Sequence, residues 1–149
     1  MVVTMLFAIV IGVIFAMLVN VQKSESFTQR RGDTLDELRV TMDRMTKDLR
    51  QATRVVGTPT ASHIEFMTYE NGTSADVTYN ATGTTLTRQV GATTATTMQS
   101  DLTTTSIFTY VPSPSTPQVV EIALVVTPSN LPATTVTLDG EIHLRNLGS

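Results

Sequence analysis

The chain has 149 residues, with ten Lys and Arg against thirteen Asp and Glu and a formal net charge of −3. That is room for one domain of ordinary size. There is no Cys, so disulfides and thiolate metal sites are excluded. No basic stripe stands out, which removes the attraction that dominates nucleic-acid affinity. The two His, at 63 and 143, are too isolated to suggest a metal centre. Neither a nucleic-acid partner nor a cofactor is expected.

Residues 1–22, MVVTMLFAIVIGVIFAMLVNVQ, carry no charge, and the first charged residue is Lys23. A helix over 1–18 would rise about 27 Å, close to the thickness of a hydrocarbon core. Its apolar surface is made by Met1, Val2, Val3, Leu6, Phe7, Ile9, Val10, Ile11, Val13, Ile14, Phe15 and Leu18. A secretory signal peptide needs a basic start and a small-residue exit, and neither is present. A core helix apolar on every face would need a larger protein around it. The run is therefore expected to insert into a membrane. Lys23, Arg30, Arg31 and Arg39 all follow it. By the positive-inside rule the rest of the chain would be cytoplasmic, unless basic residues precede Met1.

Between 34 and 56, apolar residues recur with spacings of 3 and 4: Leu35, Leu38, Met42, Met45, Leu49, Ala52 and Val56. This is an unbroken heptad seam. Asp36, Glu37, Arg39, Asp43, Arg44, Lys47, Asp48, Arg50 and Arg54 fall on the opposite face. Gly57 and Pro59 mark the expected end of the helix. The seam suits either a coiled coil or a sheet in the same chain. The sheet is favoured, because the remainder needs a cover for its apolar face. The tripeptide Arg31-Gly32-Asp33 is read as chance inside a helix.

After Pro59 the period falls to 2. Twenty-eight Thr, most of them beyond position 57, favour strands, because a β-branched side chain packs well on a pleated surface. HIEFMTY (63–69) and ADVTY (75–79) flank Asn71-Gly72, a strong hairpin signal. Further strands are expected at 84–90, 106–111, 118–126 and 135–146. The last alternates Val136, Leu138, Ile142 and Leu144 inward with Thr137, Asp139, Glu141, His143 and Arg145 outward. Loops are expected at 91–101 and 112–117. About six strands in sequential order suggest an antiparallel sheet with one dry face. Asn71-Gly72-Thr73 and Asn80-Ala81-Thr82 fit the N-glycosylation sequon. No Ser sits in a nucleophile elbow and no Gly-rich phosphate loop appears, so catalysis is not expected.

The N-terminal run, MVVTMLFAIVIG, followed by LRVTMDRMTKDLRQAT resembles the type IV pilins and the pseudopilins of type II secretion. The second stretch, with Asp48, Leu49, Arg50 and Ala52, is most similar to the larger minor pilins. LTR (86–88), IFTY (107–110) and LRN (144–146) resemble pieces at similar points in that group. The resemblance implies an α+β, pilin-like fold. A long N-terminal helix, hydrophobic in its first half and amphipathic in its second, would pack on an antiparallel β-sheet. The parts would be a membrane or filament-core half (1–22), an amphipathic half (23–57) and a sheet domain (58–149). It also implies a structural subunit, minor, tip or initiating, of a type IV pilus or type II secretion pseudopilus. The implied partners are other pilin subunits, the inner membrane before assembly, and the pilus assembly machinery. The subunit would sit in the inner membrane as a single-pass protein and then in an extracellular or periplasmic filament. On this alignment the basic leader and the mature N-terminal segment, including the family's Glu, lie upstream of Met1. A single-pass membrane anchor carrying a β-rich binding domain, with no filament, is the alternative.

Overall fold

The computed structural model describes residues 2–70, 72–129, 131 and 134–144, and within the helix only the side chains of Met17, Glu25 and 27–50. Helix α1 is Val2–Arg50. Eight strands follow: β1 (Arg54–Thr60), β2 (His63–Glu70), β3 (Thr73–Thr82), β4 (Thr85–Val90), β5 (Thr96–Gln99), β6 (Phe108–Val111), β7 (Val119–Val126) and β8 (Val136–His143). The chain divides into two compact units, Met1–Asp33 and Thr34–Ser149, and every strand belongs to the second.

Strands β1 to β5 form one antiparallel sheet in sequence order, and β6 to β8 form a second. Short connections set the registers. Glu70 pairs with Thr73 across β2 and β3, and Gly72 supplies the positive φ of 80° that a two-residue hairpin needs. Asn71, the other turn position, lies outside the described residues. Thr82 pairs with Thr85 across β3 and β4, where Gly83 has a φ of 60°.

One apolar cluster serves the whole second unit. Leu38, Met45 and Leu49 of α1 are fully buried among Ile64, Phe66, Val77, Tyr79 and Leu86 of the first sheet. Val120, Ile122, Leu124 and Ile142 of the second sheet join the same cluster. Phe66 and Tyr79, one step apart on neighbouring strands, stack with centroids 6.2 Å apart. Met42 packs on β8 at Gly140, where a Cβ would lie 2.9 Å from its sulfur. Glycine there lets the helix approach the strand closely. The Thr41 hydroxyl donates to the Met98 carbonyl at 3.0 Å, and the Tyr110 hydroxyl of β6 donates to the Thr60 carbonyl at 2.8 Å. These bonds tie β5 to the helix and the second sheet to the first hairpin.

The expected α+β, pilin-like architecture is corrected by this arrangement. The fold is mostly β, and its strands make two antiparallel sheets rather than one. No long N-terminal helix lies packed on a sheet: only the part of α1 after Asp33 shares a compact unit with the strands. Widths supply the physical reason. A helix is about 10–12 Å across, while strands are spaced about 4.8 Å apart. One helix therefore covers two or three strands, and eight strands in one layer would leave most of their dry face in water. Dividing them lets β6 to β8 complete the core.

Two boundaries also differ from expectation. α1 ends at Arg50 rather than at Val56. The Ala52 amide closes a tight turn on the Leu49 carbonyl at 3.1 Å, and the Thr53 amide is taken by the Met67 carbonyl at 2.8 Å. Thr53, Val55 and Val56 are β-branched and favour the strand they enter. The expected loop 91–101 contains β5, with Thr97 opposite Thr87 and Thr96 opposite Arg88. Replacement of the fully buried Leu49 by Ala is expected to cost about 2–5 kcal/mol. Val40→Ala, at a position 68% exposed on the other face, should change stability by no more than about 0.5 kcal/mol. Urea unfolding of the two variants checks the contrast.

Candidate functional site

The side chains expected to line the membrane or filament-core helix, from Met1 to Leu18, lie outside the described residues. Among the described residues, no helix is long and apolar enough to cross a membrane. The seam residues are placed more fully. Leu38, Met42, Met45 and Leu49 point into the core, Ala52 is buried just beyond the helix, and Leu35 is half-buried. Val56 sits half-buried in β1 and is not part of the helix.

The densest polar chemistry is beside that seam. The Asp48 side chain is only 4% exposed. Its Oδ2 accepts from Arg88 Nε at 2.8 Å and from the Tyr79 hydroxyl at 2.9 Å. Arg88 Nη2 reaches Glu70 Oε2 at 3.1 Å, and Arg44 Nη2 reaches Glu70 Oε1 at 3.1 Å. Arg44 Nε stands 3.5 Å from Asp48 Oδ1, too long for a good hydrogen bond. Two acids and two bases thus alternate from α1 through β2 to β4. The exposed end, Arg44 with Glu70, adds little by itself because water screens it. The inner end, Asp48 with Arg88, is buried, so removing one partner strands the other charge.

Electrostatics at the inner end follow from this geometry. Burial would lower the Arg88 pKa, but the hydrogen bond and charge of Asp48 outweigh it, and the net shift is upward. Burial, reinforced by the Asp48 charge, pushes the Tyr79 phenol far above its ordinary range. Burial alone does the same for Tyr110. Asp48 is held by donors from two strands, so the cluster clamps the helix to the sheet.

The heptad spacing places Asp48 on the face opposite the seam, and in the structure its side chain is buried. The sequence does hold a signal for the pair. Arg88 alternates with Leu86 and Val90, so it sits at an inward strand position, and an inward charge needs a partner. Asp48 lies next to Leu49 and three residues past Met45, at the margin of the buried stripe.

A second polar area lies on the outer face of the second sheet. Glu121 is directly opposite Glu141, and Ala123 opposite Asp139. With Ser106 and Thr109 these acids line a cavity of about 430 Å³. His143 Nε2 stands 3.2 Å from Glu141 Oε1. Among the described residues, no group of three or more His, Cys, Asp or Glu is placed to hold a metal ion. No protein-family model, characterised protein or solved structure matches this chain.

The tyrosines give a pH test. A phenol whose pKa is raised on folding stays protonated in the folded state, while in the unfolded chain it ionises near pH 10. The stability it confers is whole below pH 10 and declines as pH rises above that value. Absorbance at 295 nm should show Tyr79 and Tyr110 un-ionised in the folded chain at about pH 11 and ionised on addition of denaturant.

Proposed function

We propose that the chain is a structural subunit, minor, tip or initiating, of a type IV pilus or a type II secretion pseudopilus. The observation that carries this reading is the uncharged stretch 1–22 at the head of a helix that leads into a Thr-rich β unit. The resemblance of 1–12 and 38–53 to that family supports it. On this reading the stretch holds the subunit in the inner membrane, with the β unit outside the cytoplasm, and later packs among the same stretches of neighbouring subunits. Lipid tails are about as apolar as Leu, so the exchange is close to neutral. Packing and polar pairing then supply the preference. Such an interface lets a filament grow and shrink at modest cost.

Nothing in this role asks for a reaction centre, and the clamp at Asp48 suits a part that must survive being pulled from a bilayer. The rival reading, a single-pass anchor with an independent binding domain, uses the same two parts without assembly. An epitope placed after Ser149 and visualised by immunogold electron microscopy separates them. Label spaced along or at the tip of filaments is the expected result. Label confined to the membrane fraction, with filaments bare, would favour the anchor.

A further inference from the structure

Charges of opposite sign are segregated along the chain. From Gln89 to Leu144 there is no Lys or Arg, and the acids are Asp101, Glu121, Asp139 and Glu141. From Arg44 to Arg54 there are four basic residues and one acid. That acid is Asp48, buried and held by Tyr79 and Arg88, so it adds little charge at the surface. Arg44 is taken by Glu70, whereas Lys47, Arg50 and Arg54 are exposed. Among the described residues, neither Lys47 nor Arg54 makes an ion pair. Three of the four acids share one face. Glu121, Asp139 and Glu141 are exposed on the outer side of the second sheet, around the hollow of about 430 Å³. Glu121 stands directly opposite Glu141, and like charges in that position destabilise the pairing. Among the described residues, the ring nitrogen that reaches these acids is His143 Nε2, 3.2 Å from Glu141 Oε1. No Lys or Arg reaches them.

We propose that the outer face of the second sheet docks the basic end of the domain helix, Lys47 to Arg54, of a second copy of this chain. Charge complementarity selects the occupant. The face carries acids with no Lys or Arg to balance them, and the same chain carries a matching excess of cations on a separate surface. Lys47 lines its own hollow with Gln51 and Tyr69, and that hollow shares no residue with the acidic one. Tyr69 is 60% exposed there, and an exposed tyrosine beside a charged rim is the composition that protein contacts favour. Isolated surface ion pairs contribute little, but several charges engaged as a network contribute more. A cation placed between Glu121 and Glu141 also relieves their mutual repulsion, a gain that the lone subunit does not have. The contact uses the β unit and the helix end, and residues 1–22 take no part in it. It therefore stands or falls separately from the filament reading.

The test uses the full chain in detergent, with micelles in excess over chains, and reads self-association by sedimentation. Association should appear below about 1 mM chain at low salt. It should weaken about tenfold or more between about 0.01 M and 1 M salt, where the screening length falls from about 30 Å to about 3 Å. The double variants Glu121→Lys/Glu141→Lys and Lys47→Glu/Arg54→Glu should each associate about tenfold more weakly or worse, because like charges then face each other across the contact. An equimolar mixture of the two should associate again, since each surface now meets the opposite sign. Glu121→Gln removes the repulsion without reversing the charge, and it should weaken association while leaving Tm unchanged or higher. A chain monomeric up to about 1 mM, association indifferent to salt, or a mixture no better than either variant alone would each overturn the proposal. Labelled filaments alongside such a result would leave the filament reading in place and remove this contact. Salt-sensitive association without labelled filaments would do the reverse.

Discussion

The domain is organised around one buried carboxylate. Asp48 receives hydrogen bonds from Tyr79 on β3 and Arg88 on β4, so two strands of the first sheet are tied to the helix through one atom, its Oδ2. Apolar packing along Leu38, Met45 and Leu49 supplies most of the driving force, because burial is roughly proportional to area. Area alone is indifferent to small sliding of a helix along a sheet. The fixed geometry of Asp48 with its two donors is not indifferent. A shift of the helix by even one residue would leave a carboxylate and a guanidinium buried without each other, at a cost of several kcal/mol.

Around this point the β unit is assembled with few long-range devices. Five strands run as a meander in which each pairs with the next. The second sheet joins them through Tyr110, the Ile107 amide bound to the Ala61 carbonyl at 2.9 Å, and the Leu102–Val126 bridge. The abundant Thr side chains are used in the same economical way. The Thr127 hydroxyl lies 3.1 Å from that of Thr103 and 3.2 Å from that of Thr135, so these three side chains satisfy one another without a charged partner. A β unit with few charges on its strands fits the proposed place of this chain as a part in an assembly.

Much of the local structure could be read from the residues, and the global arrangement could not. The seam at 38, 42, 45 and 49 and the alternation at 119–126 and 136–143 follow from side-chain period alone. Asn71-Gly72 marks the turn between β2 and β3. What periodicity does not carry is the pairing of distant segments. Nothing in TTMQ identifies β5 until Thr96 and Thr97 are seen beside β4, and nothing local says that the sheet breaks between Gln99 and Phe108. The heptad spacing runs past the true helix end because Ala52 and Val56 keep it, while the Thr53 amide and hydroxyl both donate to the carbonyl of Met67, a partner 14 residues away. Asp48 looked solvated for a related reason. Arg44 and Lys47 lie beside it on the helix as well as Met45 and Leu49, and the arginine that buries it lies 40 residues further along the chain.

Asp48 and Arg88 act as one unit joining helix to sheet. A double-mutant cycle on Asp48→Ala and Arg88→Ala, read by urea unfolding, tests it most directly. Each single change should cost about 3 kcal/mol or more, and the double change much less than their sum. A coupling energy of at least about 1.5 kcal/mol is the predicted result. Additivity within about 0.5 kcal/mol would contradict the account, because two independent sites behave that way.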